Sequence, residues 1–178
     1  MLLVPVCNPG PRWHDFLQAL QAQTLQPQLA VVIDSASDDG APEAAEAAGL
    51  LVHRIDRAAF NHGTTRQQAV DQFASDADTV VFLTQDAVLA DPMALQHLVA
   101  ALDDQQVGAA YGRQLPHANA TPVAAHARLF NYPANSHSRS WADVPEFGIK
   151  TCFLSNSFAA YRLSALQQAG GFAPDLIL

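Results

Sequence analysis

Along the chain, short unbroken apolar runs alternate with stretches of helical spacing. The runs at 2–6, 29–33, 50–53, 80–83 and 107–111 are rich in Val, Ile and Leu and are bounded by polar or Pro/Gly turns, so each is predicted as a buried strand. Trp13, Phe16, Leu17 and Leu20 recur at helical spacing and predict a helix over 13–23. Further helices are predicted over 42–48, 63–73 and 93–102. Asp91 is read as N-cap of the last, with Pro92 at its first position. After Tyr111 the periodicity fades into Pro-, His- and Asn-rich sequence over 112–148, broken only by a short helix near 123–129. Strands return at 149–154 and 158–161, and a helix at 163–168.

Strands alternating with helices predict a mostly parallel sheet covered on both faces, a three-layer α/β/α sandwich of Rossmann-like type. A length of 178 residues with 49% hydrophobic and 15% charged residues suits one globular domain with a sizeable core. No apolar run approaches the roughly 18 residues of a bilayer span, and no charged leader opens the chain. A soluble, cytoplasmic protein is expected. Its formal charge of −8 argues against nucleic acid as a partner. Cys7 and Cys152 stand alone in apolar, strand-like sequence and are expected to be reduced and buried.

Two of the predicted strands run into aspartate, Asp34 and Asp86, and ligands of open α/β sheets sit beyond the carboxyl ends of strands. Both acids are therefore expected at one sheet edge, Asp86 placed to hold a metal or a polar ligand. Each also has an ordinary reading as a turn residue or helix cap. The stretch from Asn61 to Arg66 opens a helix whose free N–H groups favour an anion, and Arg66 is placed one turn in. An ordinary cap with a solvated arginine is the alternative. The single lysine, Lys150, is not in a phosphate-binding Gly-Lys-Ser/Thr loop, and Gly-x-Gly-x-x-Gly is absent. The seven histidines show no zinc-protease spacing, and Gly-x-Ser-x-Gly is missing.

The order Pro5-x-x-Asn8, Asp34, His62-Gly63-x-x-Arg66 and Asp86 resembles family-two inverting glycosyltransferases with the GT-A fold. Within them, Phe60-Asn61-His62-Gly63, Thr84-Gln85-Asp86-Ala87, Gly112-Arg113-Gln114-Leu115-Pro116 and Phe130-Asn131-Tyr132-Pro133 resemble bacterial rhamnosyltransferases, as do Ser155–Arg162 and Gly170-Gly171-Phe172. The resemblance covers nearly the whole chain. It implies one GT-A domain, with a nucleotide-sugar-binding part at 1–112 and the start of an acceptor-side part at 113–178. Pro5, Asn8 and Asp34 would line the nucleoside pocket, with His62, Gly63, Arg66 and Gln85 near the nucleotide. Asp86, the last position of the family's Asp-x-Asp motif, would hold Mg²⁺ or Mn²⁺ on the diphosphate. Arg113, Asn156 and Ser157 would face the sugar or the acceptor. The implied donor is a dTDP- or UDP-sugar, dTDP-rhamnose first, and the acceptor a glycan or lipid-linked saccharide, with the protein cytoplasmic or peripheral at the inner face of the membrane. Homo-oligomers stay open.

The sequence departs from the family at Thr84 in place of the first Asp, a departure that rhamnosyltransferase-like members share, and at Thr64 and Gln67. The family's general base would follow just beyond Leu178, which implies a C-terminally incomplete, donor-binding chain, inactive alone. Asp175 is a poor substitute. A nucleotide-sugar-binding module without turnover is the alternative, and a phospho-receiver domain leaves these motifs unexplained.

Overall fold

In a computed structural model, residues 1–174 are described. Six strands form one sheet: β1 (Leu2–Val6), β2 (Ala30–Asp34), β3 (Leu51–Arg54), β4 (Thr79–Leu83), β5 (Ala109–Tyr111) and β6 (Phe158–Arg162), in the order β3-β2-β1-β4-β6-β5. β1 to β4 are parallel, and β6 runs antiparallel between β4 and β5. Five strands therefore point one way.

The continuous apolar runs arise because both faces of the central strands are covered. Leu2, Val4, Val6, Val32, Val81 and Leu83 face α1 (Trp13–Gln21), α2 (Ala41–Ala47) and α4 (Ala94–Ala100). Leu3, Val31, Ile33, Val80 and Phe82 face α3 (His62–Phe73) and α7 (Leu163–Gln168). Alternate residues of one strand thus supply two separate cores. α1 buries Trp13, Phe16, Leu17 and Leu20, the stripe read from its spacing. The Trp13 ring stacks on Phe16, and its indole N–H donates to the Ala41 carbonyl at 3.0 Å.

The chain winds from β1 out to β3, then crosses back to place β4 on the other side of β1. That reversal makes the carboxyl ends of β1 and β4 the topological switch point, beyond which doubly wound sheets take their ligands in a crevice.

Three expectations need correction. Residues 149–154 form no strand; Gly148–Cys152 is a 3₁₀ turn. Ile, Thr, Phe and Leu are β-prone only where a half-buried surface awaits them, and here just Thr151 and Leu154 are half-buried. α4 begins at Ala94, because Asp91 spends its carboxylate on the Met93 N–H at 2.8 Å, closing a turn ahead of the helix. Neither cysteine is fully buried: Cys7 is half-buried beside the crevice and Cys152 lies exposed. The helix near 123–129 is present as α5 (Pro122–Asn131), and α6 (Val144–Phe147) is a single turn.

Candidate functional site at the carboxyl edge of the sheet

The exits of β1, β2 and β4 are tied together by side chains that bond backbone. Asp34 closes β2 opposite Val6 and is fully buried. Its two carboxylate oxygens accept from the Ser37 N–H at 3.2 and 3.3 Å, turning the chain sharply after the strand. It does not cap α2, whose N-cap is Gly40; Asp39, one residue earlier, accepts from the Ala41 N–H at 3.2 Å. A strand that ends on a buried acid needs such a donor, since an unpaired carboxylate is costly to bury.

Asn8 follows β1 at φ +45°, a conformation that Asn tolerates better than most residues. Its N–H donates to the Ser37 hydroxyl at 2.9 Å, and its side-chain oxygen accepts from the Asp38 N–H at 2.9 Å. Gly10 N–H donates to the Asp39 carboxylate at 3.0 Å. The β1 and β2 exits thus form one polar rim.

Gln85 closes the other side. Its Oε1 accepts from the Cys7 N–H at 2.7 Å while its Nε2 donates to the Cys7 carbonyl at 3.2 Å, pinning the β4 exit to the β1 exit. Replacing Gln85 by Leu should strip both bonds and leave two half-buried backbone groups unpaired. A cost of about 2 kcal/mol is expected, read as a lower thermal midpoint. An unchanged midpoint would show that the clamp is replaced by water.

Asp86 is the second central residue of the Thr84–Ala87 turn, closed by the Ala87 N–H on the Thr84 carbonyl at 3.0 Å. The turn aims Asp86 into solvent, and its carboxylate takes no hydrogen bond among the described residues. Thr84 Oγ1 and Ser35 Oγ are buried without partners beside these exits.

The remaining candidates divide. β6 starts where β4 ends, so Asn156 and Ser157 reach the same edge; the Ser157 carbonyl accepts from the Thr84 N–H at 3.1 Å. Asn156 accepts from the Tyr161 hydroxyl, and burial pushes that phenol up to about 12. Arg113 follows β5 at this edge too, yet its Nε is spent on the Tyr132 carbonyl at 3.0 Å. Pro5 lies within β1, in register with Ile33.

α3 is arranged differently from the anion site its sequence suggested. Asn61 caps it, accepting from the Gly63 and Thr64 N–H groups at 3.0 and 2.9 Å, so two donors an anion would use are taken. Arg66 is only 7% exposed, its guanidinium 5.8 Å from the Phe82 ring centre and its Nη1 on the His62 carbonyl at 2.7 Å. Burial lowers its pKa. It is therefore neither a solvated arginine nor a phosphate fork as it stands. Gly63 is where the turn around Gly171 and Phe172 comes closest: a Cβ there would lie 1.9 Å from the Ala173 carbonyl oxygen. His62 remains exposed.

Sequence reasoning gave Ser37 and Asp38 no place at the rim and read Gln67 only as a departure from the family pattern. The signal for the first two was the polar loop directly after a buried strand; nothing in the sequence marked Gln67 as a partner of the turn at Phe172. Asp175 and the segment past Leu178, weighed for a base, lie outside the described residues.

The strand order, with its reversal between β1 and β4, defines an open, doubly wound α/β protein. Residues 1–170 match the family described as glycosyl transferase family 2, and the chain belongs to that family. It is 46% identical over 178 residues to the O-antigen chain rhamnosyltransferase RfbN of Salmonella typhimurium and 44% identical to WbaN of Salmonella anatum. It covers 99% of itself but 56% of each of those proteins, so it spans about half the length of the curated relatives it matches. Among solved structures, Staphylococcus aureus TarS 1–349 with UDP superposes with a TM-score of 0.68 at 19% identity, over 97% of this chain and 49% of that one. The Pyrobaculum calidifontis mannosyltransferase PcManGT, solved with GDP-Man and Mn²⁺, gives 0.60 at 22% identity, over 98% and 47%. These two establish the GT-A-type fold anticipated from the sequence.

Proposed function

We propose that the chain binds a nucleoside-diphosphate sugar, dTDP-rhamnose first, across the exits of β1, β2 and β4. In this reading it is the donor-binding part of an inverting rhamnosyltransferase that elongates a surface-polysaccharide or lipid-linked acceptor. The observation that carries it is the rim itself: three strand exits tied together by Asn8, Ser37 and Gln85, with the Asp86 carboxylate at the β4 exit taking no hydrogen bond among the described residues. The rhamnosyltransferase relatives support the choice of sugar.

Asp34 accepts a single backbone donor, and its remaining lone pairs, fully buried as it stands, would meet the imide N–H of thymine or uracil once the loop after β2 is drawn aside. Pro5 and Asn8 shape the adjoining wall. The exposed His62 is assigned to the nucleotide, and Gly63 and Arg66 to holding the turn that flanks it. Asn156, Ser157 and Arg113 border the sugar and acceptor side.

A divalent cation fits these residues. No cluster of three His, Cys, Asp or Glu side chains is present among the described residues. One free carboxylate completed by diphosphate oxygens and water is the set that Mg²⁺ and Mn²⁺ accept with nucleotides. The ion would neutralise charge developing on the departing diphosphate. Asp86 would hold it, and Gln85, by fixing the turn to Cys7, would keep that carboxylate oriented.

Calorimetric titration tests the reading. With Mn²⁺, dTDP-rhamnose and dTDP should bind at least roughly tenfold more tightly than CDP, because cytosine has no imide N–H to offer Asp34. Equal affinities, or none for any nucleotide, would overturn it.

A further inference from the structure

The chain that leaves β5 stays on the edge of the sheet. Gly112 N–H donates to the Phe158 carbonyl at 2.8 Å, and the Phe158 ring lies where a Cβ on Gly112 would be. Gln114 Nε2 then donates to the Ser155 hydroxyl at 2.9 Å. His117 meets Arg12, 105 residues away along the chain, in the 3₁₀ turn Gly10–Arg12 that follows β1. From β5 to β1 the sheet order crosses β6 and β4, three strand spacings or about 14 Å. The five steps from Gly112 to His117 reach at most about 17 Å. The segment therefore has little slack and passes the exits of β6 and β4, the second of which carries Asp86.

What the segment brings to Arg12 is a second basic side chain. Arg12 Nη1 stands 3.0 Å from His117 Nδ1 and 2.8 Å from its Nε2. A neutral imidazole carries a proton on one of these nitrogens and a charged one on both, so at least one contact sets N–H against N–H. The other arginines around the strand exits are spent on backbone: Arg57 on the Ala36 carbonyl, Arg66 on that of His62 and Arg113 on that of Tyr132. Asp39, on the rim beside Gly10, accepts from the Gly10 and Ala41 N–H groups. Among the described residues no carboxylate forms an ion pair with Arg12 or His117. Two basic groups brought together without an acid call for an anion.

We propose that Arg12 and His117 hold the diphosphate of the donor, one of its oxygens accepting from both side chains. The inference rests on the donor reading for the place of the diphosphate, beside Asp86. A diphosphate carries more negative charge than one divalent cation balances once the Asp86 carboxylate shares that cation. The chain as a whole stands at −8, so the balance has to come from cations at the site. Arg66 is buried against Phe82 and does not supply it. An oxygen between Arg12 and His117 also relieves the N–H contact that the pair makes alone, a gain that exists only with the anion bound. The segment 112–117 thereby belongs to the donor site as well as to the acceptor side.

Pyrophosphate, which has no base to be recognised, separates this inference from the donor reading. In Mg²⁺, calorimetry should show the parent binding dTDP and, more weakly, pyrophosphate. Arg12→Gln keeps a donor for the His117 ring but removes the charge, and should weaken both ligands on the order of tenfold. Arg12→Lys should restore most of that loss, since it returns the charge. His117→Ala should weaken both by roughly threefold, and the β-phosphate phosphorus resonance of bound dTDP should move in each variant. Both side chains are exposed, so the thermal midpoint should stay within about 2 °C of the parent. If dTDP binds the parent and Arg12→Gln equally, the pair only fastens the segment, and the proposal falls while the donor reading stands. A loss of affinity that Arg12→Lys does not restore, or that merely follows a lowered midpoint, overturns it too. If pyrophosphate binds through Arg12 and dTDP binds no better, the donor reading falls and the anion site remains. Binding of neither ligand overturns both.

Discussion

Asp86→Ala should abolish the metal-dependent part of nucleoside-diphosphate binding, lowering affinity in Mn²⁺ on the order of 100-fold, and leave the fold untouched. The physical argument has two halves. Asp86 faces solvent on a turn, touches neither core, and accepts no hydrogen bond among the described residues, so removing it vacates nothing that packing needs. As the carboxylate at the β4 exit that takes no hydrogen bond among the described residues, it would be the protein's main anionic contribution to a cation shared with the diphosphate. Losing a ligand of that kind removes more than the 10–100-fold that loss of a supporting contact costs. Titration of dTDP with Mn²⁺ and with EDTA separates the terms: the parent should show a large difference and the variant almost none. Asp86→Asn should fall between, since it keeps an oxygen but not the charge. If the variant retains the parent's metal dependence, Asp86 is only a turn residue and the cation belongs elsewhere.

Much of this architecture was readable from the chain, for reasons that differ by element. β1, β2 and β4 declare themselves because burial on both faces demands unbroken apolar runs. Asp34 and Asp86 stand out because a buried strand gains nothing by ending on a charge. The direction and place of β6 were not legible, since a strand's neighbours are chosen by contacts nearly eighty residues away. Residues 149–154 misled because β propensity says nothing about whether a surface is there to receive the strand. For Arg66 the spacing gave the helical turn but not the side, and the guanidinium proves to lie against Phe82. The clamps by Gln85 and Ser37 depend on loop geometry that no local pattern encodes. The two acids at the strand exits were therefore legible in the sequence, whereas the polar bonds that tie those exits together were not.

Gly63→Ala is expected to destabilise the protein by about 3–4 kcal/mol. The first turn of α3 is the seat of the turn that follows α7. A Cβ on Gly63 would sit 1.9 Å from the Ala173 carbonyl oxygen and 2.9 Å from its carbon. Both are backbone atoms, so no side chain can rotate out of the way. Reaching ordinary contact needs the strand of backbone to retreat by about 1.5 Å, taking 3.4 Å as the start of that range. The turn has little freedom to do so. Gln67 Oε1 accepts from the Phe172 N–H at 2.9 Å, and Gly171, at φ +75°, lies so close that a Cβ there would be 2.1 Å from that same oxygen. The Phe172 ring packs edge-on against Phe82 at 5.1 Å and Tyr161 at 5.5 Å. Displacement should therefore cost overpacking strain of about 2–3 kcal/mol and the Gln67 bond, worth about 1. At roughly 2–4 °C per kcal/mol for a chain of this size, the thermal midpoint should fall by about 10 °C. Amide exchange at Phe172 should quicken in parallel. Gln67→Ala should lose the Phe172 bond and the exposed one to Asp71, at about a third of the cost of Gly63→Ala. If Gly63→Ala instead melts like the parent but binds dTDP poorly, Gly63 is a ligand contact after all and the turn is not seated on α3.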